Sequence, residues 1–250
     1  MRNYEQEKQE RIAFIQQVLA DAGAEGIVFG SSGGKDSVLV SILCRLACSN
    51  VLGVMMPCGS TRNYGSDMED ALTVAKQYDI PMVTVDLTAA RDSLLAAVEK
   101  AGELTAAAVA NMAPRLRMNA LYALAHSRKS LVAGTGNRSE LYMGYFTKWG
   151  DGAYDFNPIG DLTVTEIYEF LRYLEVPASI IEKEPSAGLY EGQTDEKEMG
   201  ITYEAIDRYL LEGKADPADL AVMERYHQQS HHKREKARIY GQLSLNVFYK

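Results

Sequence analysis

Six consecutive residues, Ser32-Gly33-Gly34-Lys35-Asp36-Ser37, concentrate hydroxyl, backbone-amide, cationic and carboxylate chemistry in one short stretch. They follow the apolar run GIVFG (26–30) and lead into an apolar-rich segment, so they read as a turn between a strand and a helix. Two adjacent glycines let backbone N–H groups turn toward an anion without side-chain obstruction, and a helix start adds its positive end. Ser32 and Ser37 can donate to phosphate oxygens. The turn departs from the G-x-x-x-x-G-K-[ST] loop at two required places: Phe29 replaces the first glycine, and Asp36 replaces the magnesium-holding hydroxyl. Asp36 is badly placed for a bare anion and well placed for a phosphate accompanied by a divalent cation.

Other residues with chemical potential are scattered. TKWGDGAYD holds Lys148, Asp151 and Asp155, two carboxylates near a lysine, and taken alone reads as a solvated turn. NMAPRLRMN holds Asn111, Arg115 and Arg117, which taken alone would cap and decorate a surface helix. Cys44, Cys48 and Cys58 have no histidine near enough in sequence to suggest zinc, and read as reduced thiols packed as small hydrophobes.

The pattern S-G-G-x-D-S resembles the pyrophosphate-binding signature of the N-type ATP pyrophosphatases, which adenylate a carboxylate or carbonyl oxygen and release pyrophosphate. GTGNRSELYMGYFTKWGDGAYDFNPIGDL (134–162) and KEPSAGLYEGQTDEKEMGITYEAID (183–207) resemble the corresponding blocks of the ammonia-dependent NAD synthetases, with a weaker echo at HHKR (231–234). The likeness runs from about Gly26 to Asp207. It implies ATP-dependent amidation of deamido-NAD to NAD, with ammonia as nitrogen donor and an adenylated nicotinate as intermediate. It puts Mg²⁺ on Asp36 and Glu140. ATP falls to Ser32, Gly33, Gly34, Lys35, Asp36, Ser37, Thr135, Lys183 and Thr194. Deamido-NAD, gripped between the subunits of a homodimer, falls to Asn111, Arg115, Lys148, Asp151, Asp155, His232 and Lys233, with Arg117 beside them. Lys148 and Asp151 are the catalytic candidates: Lys148 would neutralise the nicotinate carboxylate or nearby phosphates, and Asp151 would bind ammonium and accept its proton.

Two positions depart from several family members, which carry lysine at Val164 and, in some cases, arginine at Met55; Arg62 or Lys183 is the candidate substitute. The chain leaves no room for the amidase domain of glutamine-dependent relatives. The competing readings are another adenylating amidotransferase of the same group and a non-catalytic nucleotide-binding relative. His232 and Lys233 also fit a solvated basic tail.

These residues need a frame to bring them together. Strand-like runs at 26–30, 51–56, 82–87 and 130–135 alternate with helical patterns at 5–20, 37–47, 67–78 and, with interruptions, 89–128. That alternation predicts an α/β fold: an open parallel sheet with helices on both faces, Rossmann-like and adenine nucleotide alpha hydrolase-like, with a helical C-terminal part beyond 160. There Val164, Ile167, Leu171 and Leu174 form one apolar stripe, and Tyr168 and Phe170 read as packing residues. The stretch 186–198 lacks periodicity and reads as a lid over bound ligands. The expectation is one domain over all 250 residues, with 46% hydrophobic and 24% charged content suited to a buried core. A net charge of −8 argues against nucleic acid as the main partner. A polar N-terminus and no membrane-length apolar run point to the cytoplasm.

Overall fold

A computed structural model describes residues 2–59, 66–182, 194–237 and 239–240. Helix α1 (Tyr4–Ala22) leads into β1 (Gly26–Gly30), α2 (Lys35–Ala47), β2 (Val51–Met55), α3 (Ser66–Gln77) and β3 (Met82–Thr84). Next come α4 (Thr88–Val98), α5 (Ala106–Ala110), α6 (Met112–Ser127), β4 (Ser130–Ala133) and α7 (Arg138–Met143). The remainder is helical: α8 (Val164–Tyr173), α9 (Ala178–Ile181), α10 (Asp195–Met199), α11 (Tyr203–Glu212), α12 (Pro217–Gln229) and α13 (His231–Arg234).

The four strands are parallel in the order β3-β2-β1-β4. The chain winds outward from β1 to β3, then returns to the other side of β1 to lay down β4. A topological switch therefore lies between β1 and β4, where the loops leaving the two strands diverge and open a crevice. Side chains alternate across β1. Ile27 and Phe29 enter a core shared with Ile15 of α1, Leu39 and Ile42 of α2, and Phe170 of α8. Val28 enters a second core with Val54, Val132 and Leu121 of α6. A third cluster joins Met143, Val164, Ile206 and Met223 in the helical C-terminal part. Val164 therefore serves as buried packing.

β1 matches its apolar run, whereas β2, β3 and β4 end short of theirs. After Thr84 the chain still donates from Val85 to Met55 O and from Leu87 to Pro57 O, both within 2.9 Å. Asp86 then accepts from Thr88 N at 2.9 Å, turning the chain into α4. Helical reach from 89 to 128 is broken at Gly102 and restarts where Thr105 caps α5. Asn111 joins α5 to α6. Along the outer side of β4, Asp155 N donates to Val132 O and Gly134 N to Phe156 O, so 155–156 extend that edge. Among the described residues, no helix is long and apolar enough to cross a membrane.

Candidate active site

The loop after β1 turns at Gly33, whose φ of +76° is a left-handed conformation that favours glycine. Ser37 Oγ donates to Gly34 O at 3.0 Å and accepts from Ser32 N at 3.3 Å, which ties the loop to the first turn of α2. Asp36 leaves that first turn toward the crevice. From the other side, the loop after β4 delivers Asn137, which is completely buried and caps α7. Its side-chain oxygen accepts from Glu140 N at 2.9 Å, and its backbone N–H donates to Glu140 Oε2 at 3.0 Å. That reciprocal pair is a capping box. The amide nitrogen of Asn137 is left over, and it donates to Asp36 Oδ1 at 3.1 Å. One side chain thus fixes two carboxylates from opposite sides of the switch point.

The pair is electrostatically loaded. Burial pushes the Glu140 carboxyl well above the ordinary range, and the nearby charge of Asp36 pushes it further. Lys35 Nζ, on a side chain only 6% exposed, donates to Asp36 Oδ2 at 2.7 Å. Burial works against the charge of Lys35, but Asp36 and Glu140 outweigh it and hold the ammonium protonated. The ammonium also lies 6.0 Å from the Tyr168 ring and 5.6 Å from the Tyr203 ring. Tyr203 in turn donates its hydroxyl to Asp195 Oδ2 at 3.0 Å.

Hard oxygen donors in mutual repulsion suit Mg²⁺. Among the described residues, no group of three or more His, Cys, Asp or Glu has metal-holding geometry. Two carboxylates with the remaining ligands drawn from substrate phosphates is the usual arrangement for this ion.

A second cluster stands across the cavity. Thr147 N donates to Asp151 Oδ1 at 2.9 Å, and the Thr147 hydroxyl bonds the side-chain oxygen of Asn111. Burial raises the Asp151 carboxyl; the Thr147 N–H and the charge of Lys233 oppose that rise without cancelling it. Lys233 Nζ donates to Gly144 O and Phe146 O at 2.7 and 2.8 Å, and burial lowers its own proton affinity. Gly144 turns at φ +67°, and a Cβ there would lie 2.0 Å from the Ser230 Cβ, so the close seat of the C-terminal helices requires glycine.

Between the clusters lies a cavity of about 890 Å³ at the carboxyl ends of the strands. Ser32, Gly34, Lys35, Asp36, Ser37, Thr135 and Glu140 line one part of it, and Asn111, Asp151 and Lys233 another. Gly33 shapes the loop, and Thr194 precedes α10. Arg115 donates to Lys148 O and Asn111 O, and Lys148 to His232 O, which links the Arg115 and Lys148 side chains to backbone next to the cavity-lining Asn111, Thr147 and Lys233. Asp155 Oδ2 accepts from Val132 N of β4 at 2.7 Å and Oδ1 from the Tyr122 hydroxyl of α6 at 3.0 Å, which fixes its carboxylate between the two elements and leaves each oxygen further acceptor capacity. Lys183, Arg62 and most of the expected lid, through residue 193, lie outside the described residues.

Several contributors escaped the sequence reading. Asn137 was visible only as the first residue of an N-x-x-E capping pattern. Thr147 and Asp195 gave no local signal, because their partners are distant in sequence. Tyr168 packs against the third cluster as expected and also lies 6.0 Å from the Lys35 ammonium, and Phe170 is fully buried as expected.

A parallel sheet with a glycine-turned anion loop and a carboxylate pair across its switch point defines a nucleotide-binding α/β enzyme. The family model for NAD synthase matches residues 7–240, and the chain belongs to that family. It is 44% identical over 235 residues to the NH(3)-dependent NAD(+) synthetase of Carboxydothermus hydrogenoformans, covering 93% of this chain and 96% of that one. The NMN synthetase of Francisella tularensis superposes with a TM-score of 0.91 at 34% identity, covering 97% of this chain and 100% of the other. The NH3-dependent NAD synthetase of Campylobacter jejuni superposes at 0.78 with 30% identity, covering 96% and 99%.

Proposed function

We propose that this chain is a ligase that amidates the nicotinate carboxylate of deamido-NAD with ammonia, using ATP as co-substrate. Family membership and the likeness to ammonia-dependent synthetases support the overall reaction. The observation that carries the site assignment is the Asn137 bridge, which joins Asp36 beside the anion loop to Glu140 across the crevice.

A carboxylate is a poor electrophile, so its oxygen first attacks the α-phosphorus of ATP and pyrophosphate leaves. Backbone N–H groups of the 32–37 loop and the start of α2 would hold the departing β- and γ-phosphates, where negative charge accumulates. Mg²⁺ held by Asp36 and Glu140 would offset that charge. Ammonia then adds to the activated carbonyl carbon, and AMP leaves with the C–O bond electrons to give the amide. Asp151 is the group for ammonium: its carboxylate, which lines the cavity, attracts a cation, and its raised proton affinity makes it a better acceptor for the proton the nitrogen must lose. Lys233, close enough to influence Asp151, favours the ionised form and limits that rise. Arg115 and Lys148 beside the cavity would meet the acidic parts of the dinucleotide.

The assembly is a homodimer in this reading. None of the residues of α4 or α5 is buried in the single chain, and Leu94 of α4 is 40% exposed, so an apolar-rich surface is left for a second copy. The cytoplasm is the compartment that suits free cysteines and nucleotide substrates.

A second reading concerns the nucleotide. The TM-score of 0.91 to an NMN synthetase favours nicotinate mononucleotide, which presents the same carboxylate without the adenylate half. Steady-state assays with ATP, ammonium and each nucleotide in turn separate the two. A higher kcat/KM for deamido-NAD is expected. A higher value for the mononucleotide would establish the second reading, and no amide from either would remove amidation altogether.

A further inference from the structure

Lys35 occupies a place that helix physics does not favour. It is the first residue of α2, at the positive end of the helix, in a turn built for anions. Its side chain does not project into solvent, where a lysine usually goes, but is 6% exposed, with its ammonium 2.7 Å from Asp36 Oδ2. The Tyr168 and Tyr203 rings stand 6.0 and 5.6 Å away, and aromatic faces at that range hold a cation in place. Asp36 is therefore gripped at both oxygens, Oδ1 by Asn137 and Oδ2 by Lys35. Glu140 and Asp195 add acidic charge to the same neighbourhood.

Two partly buried carboxylates in one crevice would repel and spread without a counter-charge. We propose that Lys35 is a built-in counter-ion for Asp36 and Glu140: it keeps the pair assembled before nucleotide arrives and excludes free divalent cations from Asp36 until ATP brings one. Lys35 is then a positioning residue rather than a fixed phosphate ligand. The cation entering with ATP takes over Asp36 Oδ2, and the ammonium, freed from that oxygen, turns to the phosphates. The site thus answers to the metal–nucleotide complex and not to the metal alone. This inference rests on Asp36 and Glu140 being the cation pair.

The experiment is Mn²⁺ binding by the full chain, followed through the electron paramagnetic resonance signal of free Mn²⁺, without nucleotide and with α,β-methylene-ATP. Without nucleotide, the wild-type protein should bind no more Mn²⁺ than Asp36→Asn. Lys35→Met keeps the length and apolar packing of the side chain. It should gain nucleotide-free binding by about tenfold or more, the scale set by removing a charge next to a coordinating carboxylate. A second substitution, Asp36→Asn, should abolish that gain. Lys35→Gln serves as a second variant if Lys35→Met does not fold. A merely structural lysine would lower the melting temperature and leave Mn²⁺ binding unchanged, which would overturn the proposal. So would nucleotide-free binding by the wild-type chain that Asp36→Asn removes, a comparison that needs no Lys35 variant. Mn²⁺ binding with α,β-methylene-ATP that survives in both Asp36→Asn and Glu140→Gln would instead refute the cation pair itself.

Discussion

Besides the backbone bond from Leu141 N to its carbonyl, Asn137 makes three polar contacts, and only two of them belong to the helix it starts. The capping box with Glu140 would form in any well-started helix; the third contact, from its amide nitrogen to Asp36, spans 101 positions of sequence. The two roles separate by substitution. Asn137→Ser keeps a cap-competent oxygen but loses the amide donor, whereas Asn137→Ala loses both, with the cap worth about 1 kcal/mol. Amidation should fall about 10- to 100-fold in both variants, the range for partners that orient a metal-binding group. Only Asn137→Ala should show the full loss of melting temperature. A wild-type rate in Asn137→Ser would mean that the bond to Asp36 does not matter for turnover. The anion loop was legible at this scale because glycine, serine and aspartate act locally through backbone geometry. The bridge was not, because nothing in the spacing of N-x-x-E says which distant carboxylate the free amide meets. Nor does the spacing of TKWGDGAYD say that the Asp155 carboxylate is held by Val132 N of β4 and the Tyr122 hydroxyl of α6.

Among the elements, α7, α8 and α11 are pinned together behind the carboxylate pair by one buried group. Asp207 of α11, 2% exposed, accepts from the Ser139 hydroxyl of α7 at 2.5 Å and from Thr165 N of α8 at 2.7 Å. Burial raises its carboxyl above the ordinary value, and those two donors reduce the rise without abolishing it. A raised folded-state value means that the folded protein holds this proton more tightly than the unfolded chain does. The corresponding stability is present below the unfolded value of about 3.9 and is lost as pH rises through the raised one. The advantage in melting temperature of the wild-type chain over Asp207→Asn should therefore shrink as pH rises through that window. A constant difference would show that Asp207 titrates alike in both states. Strand and helix alternation predicted the sheet and its flanking helices well, since periodicity reflects burial on a face. The ends were less legible: β3 ends three residues short of the end of its apolar run, where Val85 and Leu87 still bond the neighbouring backbone and Asp86 starts α4, and α2 begins two residues early with Lys35 itself.

For the whole molecule, the sheet order places the two functional loops at a switch point, while α12 and α13 close the far wall through Lys233 and Ser230. The unburied surfaces of α4 and α5 lead to the expectation that sedimentation velocity at micromolar concentration finds a dimer, and a fully active monomer would contradict the shared surface. The central claim is that the carboxylate is activated by attack on the α-phosphorus, at a loop that holds the pyrophosphate end of ATP. Its most direct test uses deamido-NAD labelled with ¹⁸O in both carboxylate oxygens, turned over with ATP and ammonium and read by mass spectrometry of the nucleotide products. Direct attack transfers one labelled oxygen to AMP for each amide formed and leaves pyrophosphate unlabelled. ADP as the stoichiometric product, or label appearing in inorganic phosphate, would contradict it.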